Sequence, residues 1–203
     1  MDIYTLLPEG FGSNCYILAS GRSAAVVDPS VKVGEILAFL ADKGLELELI
    51  LLTHGHFDHI ESLDRLRDAT LAPACIHKDD GEMLADGKKN AYEFFFGHNK
   101  KWRPAERLLE NGDKLTLGNE TVEVISTPGH SKGSICLLGK DLLITGDTLF
   151  ANGYGRYDLH GGNVGKLSES LSSLRELDHD LTIYPGHGNT AKLGDALNNL
   201  MYF

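Results

Sequence analysis

The sequence predicts a layered α/β domain in which two sheets carry helices on their outer sides. Two observations lead there: short apolar strands alternate with amphipathic helices along the whole chain, and hairpin-like spacing occurs early and again after Arg107. In order, strands are expected at Ile3 to Leu7, Asn14 to Ala19, Ala24 to Asp28, Leu47 to Thr53 and Ala74 to His77. They continue at Lys114 to Leu117, Thr121 to Ser126, Ile135 to Leu138, Leu142 to Thr145 and Leu181 to Tyr184. Helical spacing fits Val33 to Lys43, His59 to Asp68, Lys166 to Leu177 and Ala191 to Leu200. Gly139-Lys140-Asp141 is a hairpin signal between two of the strands. Periodicity is weakest from Asp86 to Asn111, where Phe94-Phe95-Phe96 suits either a helical insertion beside a site or ordinary core packing.

With 203 residues, 42% hydrophobic content and a net charge of −10, residues 1–203 read as one globular domain and not as a fibrous or disordered chain. Met1 to Gly10 lacks the basic and apolar regions of a secretory signal, and no run reaches the length of a membrane span. A soluble cytoplasmic protein with no membrane partner is expected. Cys15, Cys75 and Cys136 are too few and too scattered for a disulfide framework or a thiolate metal site, so all three read as buried free thiols. The acidic balance argues against a nucleic-acid partner, which needs a basic stripe.

The run Thr53-His54-Gly55-His56-Phe57-Asp58-His59 packs four metal-ligand residues into one strand-to-helix turn. His54 and His56, two apart in extended chain, point to one side, while Asp58 and His59 open the following helix. His130, Asp147 and His187 each follow a predicted strand as well, so four strand ends converge on one rim. Imidazole and carboxylate donors without thiolate suit zinc, iron or manganese. Three ligands per metal leave a position open, the mark of a catalytic rather than a structural site. Chance occurrence of histidines, some in the core and some solvated, is the competing reading of so many ligand residues.

Together with Thr127-Pro128-Gly129-His130-Ser131, Thr145-Gly146-Asp147-Thr148 and Tyr184-Pro185-Gly186-His187-Gly188, that run resembles the metallo-β-lactamase superfamily, in its short glyoxalase II-like branch. The resemblance spans residues 28 to 188 and implies an αββα sandwich with metals at the edge between two sheets. It implies that His54, His56 and His130 hold a first divalent metal and Asp58, His59 and His187 a second, with Asp147 bridging them. Zinc is the first expectation for both, with iron or manganese as alternatives. Asp28 matches a position that supports a metal-bound histidine, against a plain role in a strand-end turn.

The implied chemistry is hydrolysis of a small-molecule thioester of the lactoylglutathione type. Two metals lower the pKa of a shared water and polarise the carbonyl, Asp58 orients the water, and a thiolate leaves without strong acid help. β-Lactam hydrolysis is not expected, because true β-lactamases of the superfamily generally lack a bridging carboxylate at Asp147. Sixteen residues follow His187, too few for the helical domain that grips glutathione in full-length glyoxalase II. In Gly153-Tyr154-Gly155-Arg156-Tyr157-Asp158, Arg156 and Tyr157 are candidate substrate contacts; Arg156 either clamps a carboxylate or pairs with Asp158. A mononuclear-iron persulfide dioxygenase is the alternative, since that family shares the ligand sequence. Lactonase, phosphoesterase and a metal-binding module without turnover are the remaining readings.

Overall fold

A computed structural model describes residues 1–200; the last three residues of the expected 1–203 domain lie outside it. The first sheet runs β1 (Asp2–Leu6), β2 (Cys15–Ser20), β3 (Ser23–Val27), β4 (Glu46–Leu51), β5 (Ala74–His77), β6 (Arg107–Leu109), in that spatial order. Its first three strands are antiparallel neighbours and the rest are parallel. The second sheet contains β7 (Lys114–Leu117), β8 (Glu120–Ser126), β9 (Ile135–Leu138) and β10 (Leu142–Gly146). After the small hairpin of β11 (Leu149–Phe150) and β12 (Gly153–Tyr154), the chain adds β13 (Thr182–Pro185) and β14 (Ala191–Lys192). The spatial order of this sheet is β14-β13-β10-β9-β8-β7.

Period-two alternation decides which side chain joins which core. On β2, Tyr16 and Leu18 face the inter-sheet core with Val27, Leu51, Val124 and Ile144. The intervening Cys15 and Ile17 face the opposite side, where Ile36 and Leu40 of α1 (Val33–Lys43) and Leu63 and Leu66 of α2 (Leu63–Thr70) cover the first sheet. Beyond the short α3 (Tyr92–Phe96), α4 (Val164–Leu174) and α5 (Leu193–Asn198) bury Leu167, Leu171 and Leu197 against Leu143 and Ile183 of the second sheet. The layers are therefore α, β, β, α, as the resemblance implied.

The observed helix bounds depart from the helical spacing at three places. Phe57–His59 is a 3-10 turn, and the α-helix expected from His59 starts only at Leu63. Here Phe57 N–H donates to Asn90 O, and Ser62 donates from N–H to Pro29 O and from Oγ to Val31 O, pinning the intervening backbone outside a helix. Ala191 and Lys192, expected as helix, pair with Ile183 and Thr182. The helix expected from Lys166 begins at Val164, because the Asn163 side chain accepts from Lys166 N–H as its N-cap. The 86–111 segment carries α3 and also β6, which the sequence did not announce. Phe94, Phe95 and Phe96 are exposed, so the helical insertion is realised and the core-packing alternative is not. All three cysteines are buried free thiols, and no helix among the described residues is long and apolar enough to cross a membrane.

Candidate metal centre

Four strands deliver the ligand residues to one edge of the sandwich: β4 precedes His54 and His56, β8 precedes His130, β10 precedes Asp147 and β13 precedes His187. Close backbone approach is required there. A Cβ on Gly186 would run into Asp147 Oδ1, and one on Gly146, whose φ of +47° already disfavours other residues, would meet Thr53 Oγ1.

His130 Nε2 lies 2.9 Å from His56 Nδ1 and 3.1 Å from His54 Nε2. His59 Nε2 lies 3.4 Å from Asp147 Oδ1 and 3.9 Å from Asp58 Oδ2, and His187 Nε2 is 3.2 Å from Asp58 Oδ2. Asp147 Oδ2 reaches toward His130 at 3.7 Å and His187 at 3.6 Å. One carboxylate thus faces both clusters. His54, His56, His59, His130 and Asp147 are buried, whereas Asp58 and His187 are partly open.

The outward hydrogen bonds fix the histidine tautomers. Thr53 Oγ1 donates to Asp28 Oδ2 at 2.7 Å, so it accepts from His54 Nδ1–H at 3.1 Å. His59 Nδ1–H donates to Asp28 Oδ2 at 2.9 Å, and His130 Nδ1–H to the Arg156 carbonyl at 2.6 Å. The His54 and His130 rings then turn a bare Nε2 into the site, and His59 does so once its second proton has left. Lone pairs about 3 Å apart in a dry setting repel unless a cation lies between them. His59 Nε2 and Asp147 Oδ1 are also buried without a hydrogen-bond partner. Three groups are spaced to hold a metal: His54-His56-His130, His54-His59-Asp147 and Asp58-His59-His187. The donor set therefore fits divalent ions.

Electrostatics agree. Burial, reinforced by the neighbouring imidazoles, pushes His54 well below its ordinary pKa and His56 down to about 3, keeping both neutral. Burial would lower His59 too, but Asp147, Asp28 and Asp58 outweigh it and hold that imidazole well above its usual pKa. Burial likewise opposes charge on Asp147, yet His59, His130 and His187 bring its pKa below the usual carboxylate range.

Asp28 sits where the sequence placed it, with a left-handed φ of 52°, and binds Thr53 N–H as well as His59. It thereby acts on a histidine in addition to ending its strand. Arg156 lines the cavity, but its guanidinium forms a two-pronged ion pair with Asp158 at 2.7 and 2.8 Å, the internal pairing of the two alternatives. Tyr157 does not reach the cavity wall. The Arg156 carbonyl is drawn inward to His130, and Tyr157 emerges on the solvent side, 41% exposed.

Two supporting residues escaped the sequence reading. Asp80, fully buried, accepts from Gly55 N–H, Ser131 Oγ–H and Gly133 N–H, tying the His54–His56 turn to the His130 loop. Asn14 donates to the carbonyls of Pro185 and Gly188 and so holds the loop that carries His187. The only sequence signal for either was a polar residue beside a strand end, shared with many solvated turns.

A metallo-hydrolase is the class of protein that this fold and this cluster define. The chain belongs to the metallo-β-lactamase superfamily, whose family model matches residues 8–187. It is similar to the probable metallo-hydrolase YqgX of Bacillus subtilis, 37% identical, with 87% of this chain and 85% of the relative covered. Two crystal structures superpose closely at 30% identity. BLEG-1, described as a B3 metallo-β-lactamase, gives a TM-score of 0.91 with 97% of both chains covered, and TTHA1623 in a di-iron-bound form gives 0.87 with 100% of both covered.

Proposed function

We propose that the chain is a binuclear metal-dependent hydrolase that cleaves thioesters. His54, His56 and His130 would hold one divalent ion and Asp58, His59 and His187 the other. Asp147 would bridge them; zinc, iron and manganese all suit this donor set. Bound there, the ions would supply Lewis acidity, lowering the pKa of water toward neutrality and polarising a carbonyl.

The chain's own residues arrange the rest. Asp58, partly open to the cavity, can accept a hydrogen bond from the attacking water and so aim it. Asp28, Thr53 and the Arg156 carbonyl keep the rings of His59, His54 and His130 in one tautomer. Phe95, Phe96 and Phe150 line the cavity and would shield a bound carbonyl from bulk water. No serine or cysteine nucleophile is needed, and the leaving thiol, with a pKa of about 8.5, departs as thiolate without a strong acid. The observation that carries the reading is the Asp147 carboxylate shared between the two clusters.

The test is turnover of S-lactoylglutathione by metal-replete protein, followed together with oxygen uptake on glutathione persulfide and hydrolysis of a chromogenic cephalosporin. Thioester cleavage without oxygen consumption is expected. Oxygen uptake on the persulfide with no thioester cleavage would overturn the reading in favour of a dioxygenase, and cephalosporin turnover alone in favour of a β-lactamase.

A further inference from the structure

The cavity that opens from Asp58, Asp147 and His187 has a volume of about 530 Å³, and its wall is aromatic. Phe95 and Phe96 of α3, Phe11 of the loop before β2, Phe150 of β11 and Leu159 all line it. Phe57, inside the metal-ligand run, anchors the wall through ring contacts to Phe95 and Phe96 at 5.3 and 5.4 Å. Phe11 is 82% and Phe95 50% exposed, so apolar surface is held open to water directly above the reacting centre. Such a patch marks a place that a ligand covers.

Charge at the mouth points the same way. Arg156, the only Lys or Arg lining the cavity among the described residues, is engaged by Asp158. An adjoining groove shares Phe11, Phe57, Asp58 and Phe96 and adds Glu9 and Glu61. The lysines that reach these acids are engaged as well, Lys32 with Glu9 at 2.6 Å and Lys100 with Glu61 at 2.6 Å. Apart from the metal ions proposed above, an anionic ligand therefore meets only paired side-chain cations at this mouth, on a chain of net charge −10.

We propose that the preferred substrate is a neutral thioester with an aromatic group that lies on the Phe11-Phe95-Phe96 wall, ahead of an anionic glutathione conjugate. The bond cleaved rests on the hydrolase reading above; the ligand class rests on the wall and the mouth. In that reaction the oxygen of one water joins the acyl carbon and the C–S bond breaks. One water proton goes to the thiolate, the other leaves with the carboxylic acid, and nothing is oxidised or reduced.

Calorimetric titration of the metal-loaded protein with two uncleavable thioethers tests the ligand class apart from turnover. S-benzyl-N-acetylcysteamine is expected to bind at least about 10-fold more tightly than S-benzylglutathione. Phe95→Ala and Phe96→Ala, with unfolding temperatures checked against the parent, should each weaken the neutral ligand by about 10-fold. Asp158→Ala, which frees Arg156, should strengthen S-benzylglutathione binding and leave the neutral ligand unchanged. Tighter binding of the glutathione conjugate by the parent, or folded phenylalanine variants with undiminished affinity, overturns the proposal. Phenylacetyl thioesters of the same two thiols report on the reaction: if the neutral thioether binds tightly and neither thioester is cleaved, the hydrolase reading fails and the ligand class stands.

Discussion

The Asp28 carboxylate accepts from His59 Nδ1–H at 2.9 Å, across 31 residues of sequence and with both side chains buried. The same Oδ2 accepts from Thr53 Oγ1, which in turn meets His54 Nδ1 at 3.1 Å. One carboxylate on a left-handed strand-end residue therefore orients a histidine of each proposed triad.

Asp28→Asn tests this. Asparagine tolerates the left-handed backbone but carries no charge and has only one acceptor oxygen. Zinc affinity, measured by competition with a chromophoric chelator, should fall by about 10- to 100-fold, with the site containing His59 affected first. Unchanged affinity would remove Asp28 from the metal centre.

Metal-replete protein should carry two ions per chain by elemental analysis. His59→Ala should lose one of them while the ion held by His54, His56 and His130 remains, and turnover should drop by about 100-fold or more. Loss of both ions in His59→Ala would contradict the division into two sites.

Metal uptake should carry a pH dependence from His59 at its site that His54 and His56 do not add at theirs. In the metal-free protein, His59 is held above its ordinary pKa of about 6.5 and must shed a proton to bind a metal, whereas His54 and His56 are already neutral. Affinity at the His59 site should rise with pH from about 6.5 toward the higher folded value, while the His54-His56 pair adds no such slope. Protonated His59 stabilises the metal-free fold fully below about pH 6.5, and that contribution is lost as pH rises through the folded pKa. Unfolding temperatures of metal-free protein should fall over the same window and those of loaded protein should not.

Asp80→Ala should destabilise the protein by about 3 kcal/mol, since it strands the buried N–H groups of Gly55 and Gly133 and the hydroxyl of Ser131. Chemical unfolding measures the loss. Because those bonds join the turn of His54 and His56 to the loop of His130, the remaining folded protein should also bind its first metal more weakly. Stability lost with metal affinity intact would make Asp80 a packing residue alone.

The sequence by itself determined the layers and the candidate ligand residues. Strand and helix periodicities report which faces are apolar, and Tyr16, Leu18, Ile36 and Leu167 occupy the cores those periods assign. Four of the seven ligand residues lie within His54–His59, so local spacing alone brought them to one turn. Tertiary structure decided what depends on partners distant in sequence. Asn90, Pro29 and Val31 draw hydrogen bonds away from helix geometry at Phe57–Ser62, giving a 3-10 turn where spacing allowed an α-helix. The Arg156 carbonyl and the Asp28 carboxylate fix tautomers that no spacing encodes, and Asp80 joins the turn at Gly55, 25 residues before it, to the loop at Ser131, 51 residues after it. The direction of a side chain in a loop was equally illegible: Arg156 turned to Asp158 and Tyr157 to solvent once His130 had pulled the intervening backbone inward. Local periodicity fixes which side of an element a residue occupies, whereas partner and orientation follow from which elements pack together, and that is a property of the whole chain.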